Sequence, residues 1–142
     1  RFVSFVEDMP AFYSALDLFG LCSRTESFGL ALAEAMTCRR PVIATPTSGA
    51  VRQINHLHNG WQLDSFDPAE IAKAIIAMAA DPQRRENMGD NGRDTVVRQF
   101  SIDLTLERTL RALRGPAGWQ RGFGRPAVNG QPFVGTTVED CA

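Results

Sequence analysis

Two glutamates, Glu26 and Glu34, stand eight positions apart and could together hold a ligand. Glu34 is the only charged residue of segment 28–38, which is otherwise apolar on nearly every side. Such a pattern predicts an interior helix. A carboxylate there is costly unless another group pairs with it or donates a hydrogen bond to it. We therefore expect Glu34 to have a charged or hydrogen-bonding partner.

The residues just before this helix predict an anion-binding site. Ser27 is a favourable N-cap residue, and Gly29 keeps a side chain off the first turn. Backbone N–H groups and the positive end of the helix dipole would then face a ligand. With one carboxylate before the helix and one inside it, the pattern favours a phosphorylated ligand that carries hydroxyl groups. On this segment alone another interpretation stays open, in which Glu26 is solvated and Glu34 pairs with a nearby arginine.

Composition limits the classes of protein that fit. A chain of 142 residues holds at most one ordinary domain, and 44% hydrophobic with 22% charged residues is typical of a soluble globular protein. The net charge of −1 gives no electrostatic reason to expect a nucleic-acid partner. We expect no transmembrane segment and no signal peptide, since no apolar run is long enough and the start of the chain lacks the pattern. The chain starts within a strand-like stretch, so we expect a fragment.

Cysteine and histidine spacing predicts neither a metal site nor another cofactor. The three cysteines include no C-x-x-C pair, and His56 and His58 lack a third ligand, so surface or turn roles are favoured for the histidines. Cys22 and Cys38 lie in apolar segments. Buried free thiols in a reducing cytoplasm are therefore expected.

The order of apolar segments predicts alternating strands and helices, as in parallel α/β proteins. Strands are predicted at 2–6, 18–22, 41–45 and 61–63, and helices at 9–16, 28–38, 51–54, Pro68–Ala80, Pro82–Phe100 and 102 to about 114, the last capped by Ser101. Residues 115–142 contain six of the twelve glycines and three of the eight prolines, without an apolar period. We predict one partial domain at 1–113 and a poorly ordered tail at 114–142.

Residues 2–105 resemble a known family through several segments in a fixed order. Besides Glu26-x7-Glu34 with Ser-Phe-Gly between, these are Phe5-Val-Glu-Asp-Met-Pro, Tyr13-Ser-Ala-Leu-Asp-Leu, Arg40-Pro-Val-Ile-Ala-Thr and Asn59-Gly-Trp. The chain is similar to retaining glycosyltransferases of the GT-B architecture, family four, in their C-terminal donor-binding lobe. The resemblance implies part of a doubly wound, Rossmann-like parallel sheet of strand order 3-2-1-4-5-6, followed by C-terminal helices. Strands one and two would be missing.

The resemblance also implies a reaction, the transfer of a sugar from a nucleotide-sugar donor to an acceptor hydroxyl with retention and without a metal. Glu26 would orient the hydroxyls of the sugar, and Glu34 would accept hydrogen bonds from the ribose. Ser27 and the N–H groups of Phe28, Gly29 and Leu30 would bind the diphosphate, together with basic residues that this chain lacks. Membrane contact would fall to the missing N-terminal lobe.

Two alternatives to this function stay open: a truncated, non-catalytic nucleotide-binding remnant, and a sugar-nucleotide epimerase of the same architecture. The isolated chain is expected to be inactive and partly unfolded or aggregated, because its sheet lacks central strands. Arg39 and Arg52 depart from the family pattern, which usually has glycine at the first position and often glutamate at the second. If the backbone at Arg39 is left-handed, the non-glycine residue costs about 1 kcal/mol.

Overall fold

Helices and parallel strands alternate along the computed structural model, which describes residues 2–114. The elements are α1 (Met9–Ser14), β1 (Phe19–Leu21), α2 (Leu30–Thr37), β2 (Val42–Ala44), α3 (Ser48–Gln53), β3 (Trp61–Gln62), α4 (Pro68–Ala80), α5 (Pro82–Phe100) and α6 (Ile102–Arg114). The strands form one parallel sheet in the order β1-β2-β3. This confirms the predicted α/β fold, and the order agrees with strands four to six of the doubly wound sheet. The tail predicted at 114–142 lies, but for its first residue, outside the described residues.

Strand β2 is the centre of the sheet and is buried on both faces. On one side Val42 pairs with Phe19 of β1, and on the other side Ile43 pairs with Trp61 of β3. Because side chains alternate along a strand, Val42 and Ala44 pack into one apolar cluster and Ile43 into another. Helix α2 supplies much of the first cluster, and helices α4 and α5 supply much of the second. The apolar run at 42–44 is therefore explained by burial on both sides.

Aspartates define where several helices begin. Asp8 accepts a hydrogen bond from the Ala11 amide (2.9 Å), and Asp81 accepts one from the Arg84 amide (2.9 Å). Asp67 caps α4 in the same way. Each cap is followed closely by a proline, whose fixed φ suits the first turn. The predicted bounds of α4 and α5 are confirmed, as is the helix after Ser101.

The strand predicted at 2–6 and the helix predicted at 51–54 differ from the structure. The strand predicted at 2–6 is wrong, since no strand is formed there and Phe2 and Phe5 are exposed. A strand is stable only with a neighbour for its backbone groups, and among residues 2–114 this segment has none. The helix predicted at 51–54 begins earlier, at Ser48, because Thr47 caps it by accepting from the Ala50 amide.

The expectation of buried free thiols is also wrong. Cys22 is a free thiol but is exposed. Cys38 is buried but disulfide-bonded. The cysteines therefore lend no support to a cytoplasmic location. No helix within residues 2–114 is both long enough and apolar enough to cross a membrane.

Helix α2 ends at a left-handed residue. Arg39 has φ 56°, which meets the condition under which its side chain was expected to cost stability. Its amide donates to the Met36 carbonyl (3.0 Å), and the Arg40 amide donates to the Ala35 carbonyl (2.9 Å). These two bonds form a Schellman motif, in which glycine is the usual left-handed residue.

Arg39→Gly is expected to raise the free energy of unfolding by about 1 kcal/mol, because glycine has no Cβ to clash in this conformation. The variant also loses the ion pair of Arg39 with Asp90 (3.5 Å). Both side chains are more than half exposed, and such pairs contribute little. Urea unfolding measures the change. Asp90→Asn, which removes the same pair without altering the backbone, is the control, and a destabilised Arg39→Gly would contradict the argument.

Candidate functional site

The loops that follow β1 and β2 meet at the carboxyl edge of the sheet. Thr45, which is buried, joins them: its amide donates to the Leu21 carbonyl (3.1 Å) and its hydroxyl to the Ser23 carbonyl (2.6 Å). In open parallel sheets ligands bind in the crevice outside this edge. The loop after β1, residues 22–29, carries Glu26, so the predicted site lies where this type of fold binds its ligands.

Helix α3 holds the backbone of this loop on both sides of Ser27. The Glu26 carbonyl accepts from the Gly49 amide (2.9 Å) and from the Ser48 hydroxyl (2.9 Å). The Phe28 carbonyl accepts from the side-chain amide of Gln53. Gln53 is 2% exposed, and its Oε1 has no hydrogen-bond partner among the described residues. The position of Glu26 therefore depends on α3, which the sequence did not indicate.

Glycine at position 49 allows this close approach. A Cβ there would overlap the backbone of Phe28. The ring of Phe28 packs edge-on against Phe100, with centroids 5.5 Å apart. The loop is thus fixed by its backbone to α3 and by one aromatic ring to the end of α5. The backbone N–H, rather than the ring, is therefore what Phe28 can offer to a ligand.

The start of α2 differs from the prediction. Ser27 is exposed and is not the N-cap; Gly29 is, with φ 85°. The Gly29 carbonyl accepts from the amides of Leu32 (3.0 Å) and Ala33 (3.2 Å), so the helix begins at Leu30. Glycine fits because the conformation is left-handed and because a Cβ would lie 3.3 Å from Cγ of Glu26. The amides of Leu30 and Ala31 have no acceptor inside the helix.

Glu34 lies one turn further along α2 and is half-buried. The hydroxyl of Tyr13 donates to its Oε2 (2.9 Å), which confirms that the carboxylate has a hydrogen-bonding partner. Within residues 2–114 no arginine forms an ion pair with Glu34. Burial, and secondarily the bond to Glu34, raises the pKa of the Tyr13 hydroxyl well above its usual value. Tyr13 therefore stays protonated and remains the donor.

Side chains suited to metal binding are scattered. No three His, Cys, Asp or Glu residues in the described part of the chain lie close enough to hold an ion. The ring of His56 packs edge-on against Trp61, and the His58 carbonyl accepts from the side chain of Asn91 (3.0 Å). Both histidines are exposed and have local structural contacts, which agrees with the predicted surface or turn roles.

Comparison with known proteins identifies the family. The family model described as glycosyl transferases group 1 matches residues 1–95. This chain belongs to that family. Its group 1 membership agrees with the resemblance carried by Glu26-x7-Glu34 and the flanking segments.

Two relatives illustrate which proteins this group 1 sequence is similar to. D-inositol 3-phosphate glycosyltransferase of Salinispora arenicola is 34% identical over 104 residues, which cover 73% of this chain and 23% of that protein. N-acetyl-alpha-D-glucosaminyl L-malate synthase of Bacillus anthracis is 35% identical over 92 residues, which cover 65% of this chain and 24% of that protein. The chain therefore spans about a quarter of the length of these relatives.

Solved structures agree with the fold of this group 1 chain. Anabaena Alr3699/HepE in complex with UDP-glucose matches 80% of the chain and 31% of its own length, with TM-score 0.75 and 27% identity. Sucrose-phosphate synthase from Thermosynechococcus elongatus matches 72% of the chain and 26% of its own, with TM-score 0.66 and 32% identity. The neighbours are GT-B glycosyltransferases, so the three-stranded sheet is part of that fold.

Proposed function

We propose that this chain is the donor-binding part of a retaining glycosyltransferase that uses a nucleotide-sugar. The observation that carries the proposal is the arrangement at the carboxyl edge of the sheet. There α3 fixes the loop bearing Glu26 directly before the open N-terminus of α2. A neighbour that matches most of this chain was solved with UDP-glucose, which supports a donor of that chemical class.

The diphosphate of the donor would sit over the start of α2. The N–H groups of Phe28, Gly29 and Leu30 are proposed as its backbone donors, with the exposed hydroxyl of Ser27 beside them. The positive end of the helix dipole stabilises the negative charge that develops as the diphosphate leaves. Since Gly29 has no side chain, the phosphates can approach the backbone closely. Basic residues that complete the charge balance would come from the rest of the protein.

The two carboxylates have separate proposed roles. Glu26, in the loop, would accept hydrogen bonds from the sugar hydroxyls beside the reacting carbon. Glu34, on the helix, would accept from the hydroxyls of the ribose. Neither glutamate is assigned as a nucleophile, so a double displacement through a covalent intermediate is not proposed. Departure of the diphosphate and attack by the acceptor hydroxyl on the same face of the sugar fit better. The proposal includes a cytoplasmic location. Binding of the acceptor is assigned to the part of the protein outside this chain.

The proposal is tested with a panel of radiolabelled nucleotide-sugars and two proteins, the 142-residue chain and the whole protein that contains it. The whole protein is expected to transfer or hydrolyse one donor. The chain alone is expected to be inactive, because the outer edge of β1 has no neighbouring strand among the described residues. Binding without turnover in the whole protein would favour the non-catalytic remnant. Interconversion of the sugar would favour the epimerase.

Glu34→Gln in the whole protein is expected to weaken donor binding by about 1.5–3 kcal/mol, the range for hydrogen bonds to a charged group. Turnover at saturating donor should change less, because the ribose is distant from the reacting carbon. Calorimetric titration with the donor measures the affinity. Glu86→Gln, an equivalent change at an exposed site on α5, is the control. Unchanged affinity with a lower melting temperature would make Glu34 a structural residue only.

A further inference from the structure

The side chain of Tyr13 lies in the core with its hydroxyl bonded to a carboxylate. It is 2% exposed on α1 and makes edge-on contacts with Phe12 (5.8 Å between centroids) and Phe19 (5.6 Å). Phenylalanine would fill the same space among these rings. A buried hydroxyl is costly without a partner, and its bond to Oε2 of Glu34 is what satisfies it. The hydroxyl is therefore explained by Glu34 and not by packing.

One oxygen of the Glu34 carboxylate remains open. The Tyr13 hydroxyl donates to Oε2, and no other described residue donates a hydrogen bond to the carboxylate of Glu34. Oε1 is not among the buried atoms that lack a partner, so solvent reaches it. A carboxylate has about four lone-pair sites, which leaves capacity for a ligand that donates. With one oxygen held, the plane of the carboxylate and the direction of Oε1 are set before a ligand arrives.

The two helices that carry Tyr13 and Glu34 are themselves well packed. Helix α1 is capped by Asp8, and Tyr13 is held by rings on both sides. Glu34 belongs to α2, whose neighbours Ala33 and Ala35 are buried. Both partners therefore stand on packed elements, so neither loses much freedom when the bond forms.

We propose that Tyr13 is a positioning residue that holds the Glu34 carboxylate so that its second oxygen accepts a hydrogen bond from the ribose of the donor. The inference rests on the proposed function and deepens it. The expected consequence is selectivity: Tyr13 contributes to the preference of the site for a ribonucleoside diphosphate over its 2′-deoxy and 3′-deoxy counterparts. Without the tyrosine hydroxyl, the carboxylate can rotate and its alignment with the ribose is lost.

The test compares dissociation constants of a ribonucleoside diphosphate and its two deoxy forms in the whole protein. Tyr13→Phe is expected to reduce the ratio between ribose and deoxyribose forms by about three- to tenfold, the effect of one hydrogen bond. Turnover at saturating donor should stay within about a factor of two, because Tyr13 does not touch the sugar. Thr37→Val, which removes a hydroxyl bonded to the Ala33 carbonyl (2.8 Å) on the same helix, is the matched control and should leave the ratio unchanged.

A double-mutant cycle with Glu34→Gln supplies the second measurement. If Tyr13 acts through Glu34, Tyr13→Phe should cause no further loss of selectivity in the Glu34→Gln background. Equal losses in both backgrounds would overturn the inference, as would an unchanged ratio in Tyr13→Phe. A melting curve of each variant shows whether a lost ratio merely reflects unfolding. If the wild-type protein itself fails to distinguish the ribose form, and Glu34→Gln binds the donor normally, it is the proposed function that fails.

Discussion

Glu26→Ala in the whole protein is expected to reduce turnover by about a hundredfold or more, because misplacing the reacting sugar by a small distance has effects of that size. Donor affinity should fall much less, since the proposed contacts to the diphosphate and the ribose are made by other residues. The side chain alone is removed. The Glu26 carbonyl still accepts from Gly49 and Ser48, so the loop should keep its position.

Steady-state kinetics with varied donor separates the two effects. Thr25→Ala is the control, because this exposed neighbour lies in the same loop and has no proposed role. Glu26→Gln adds a further comparison, since it keeps an acceptor oxygen but loses the charge. The assignment of Glu26 is wrong if the alanine variant retains turnover within about a factor of two, because an orienting contact to the sugar would have been lost without consequence.

Gly89→Ala is expected to lower the free energy of unfolding by about 3 kcal/mol, the upper part of the usual range for overpacking. Gly89 lies on α5 where it crosses the end of α2, and a Cβ would overlap the carbonyl group of Arg39. That carbonyl belongs to the left-handed residue of the Schellman motif. It cannot move without straining both hydrogen bonds that end α2, so the helices would have to separate.

The matched control is Gly92→Ala, three positions further along α5. A Cβ there would lie 3.4 Å from the Asn59 carbonyl oxygen, close to an ordinary contact. Alanine also has a better helix propensity than glycine by up to about 1 kcal/mol. We expect Gly92→Ala to be near neutral or stabilising. Urea unfolding of both variants provides the comparison, and similar stabilities would contradict the close contact at Gly89.

Local signals predicted much of the fold. Helices α4 and α5 were predicted to the residue, because an aspartate and a proline stand at each start. The beginning of α2 was missed because Ser27 has the chemistry of a cap, whereas a left-handed Gly29 takes that place. The strand at 2–6 failed for a different reason. Its sequence favours an extended chain, but a strand also needs a partner, which no local pattern supplies.

The candidate site shows the same division between local and distant information. Glu26 and Glu34 could be proposed from the sequence because their spacing and the glycine between them belong to one short segment. Tyr13 is 21 positions from Glu34, and Gln53 is 25 positions from Phe28, so only the folded chain brings them together. One signal was present in advance, since Tyr13 is the only tyrosine of the chain. A tyrosine hydroxyl that becomes buried needs a hydrogen-bond acceptor.

The attachment of the Glu26 loop to α3 has a consequence for anyone who wishes to redesign this protein. Three residues of α3 donate hydrogen bonds to the backbone carbonyls of the loop, namely Ser48, Gly49 and Gln53. A library restricted to residues that face the donor would leave these three unchanged. Yet their hydrogen bonds hold the backbone of the loop that carries Glu26. Substitutions on α3 therefore offer a way to adjust the geometry of the proposed reaction without changing any residue that is proposed to contact the sugar.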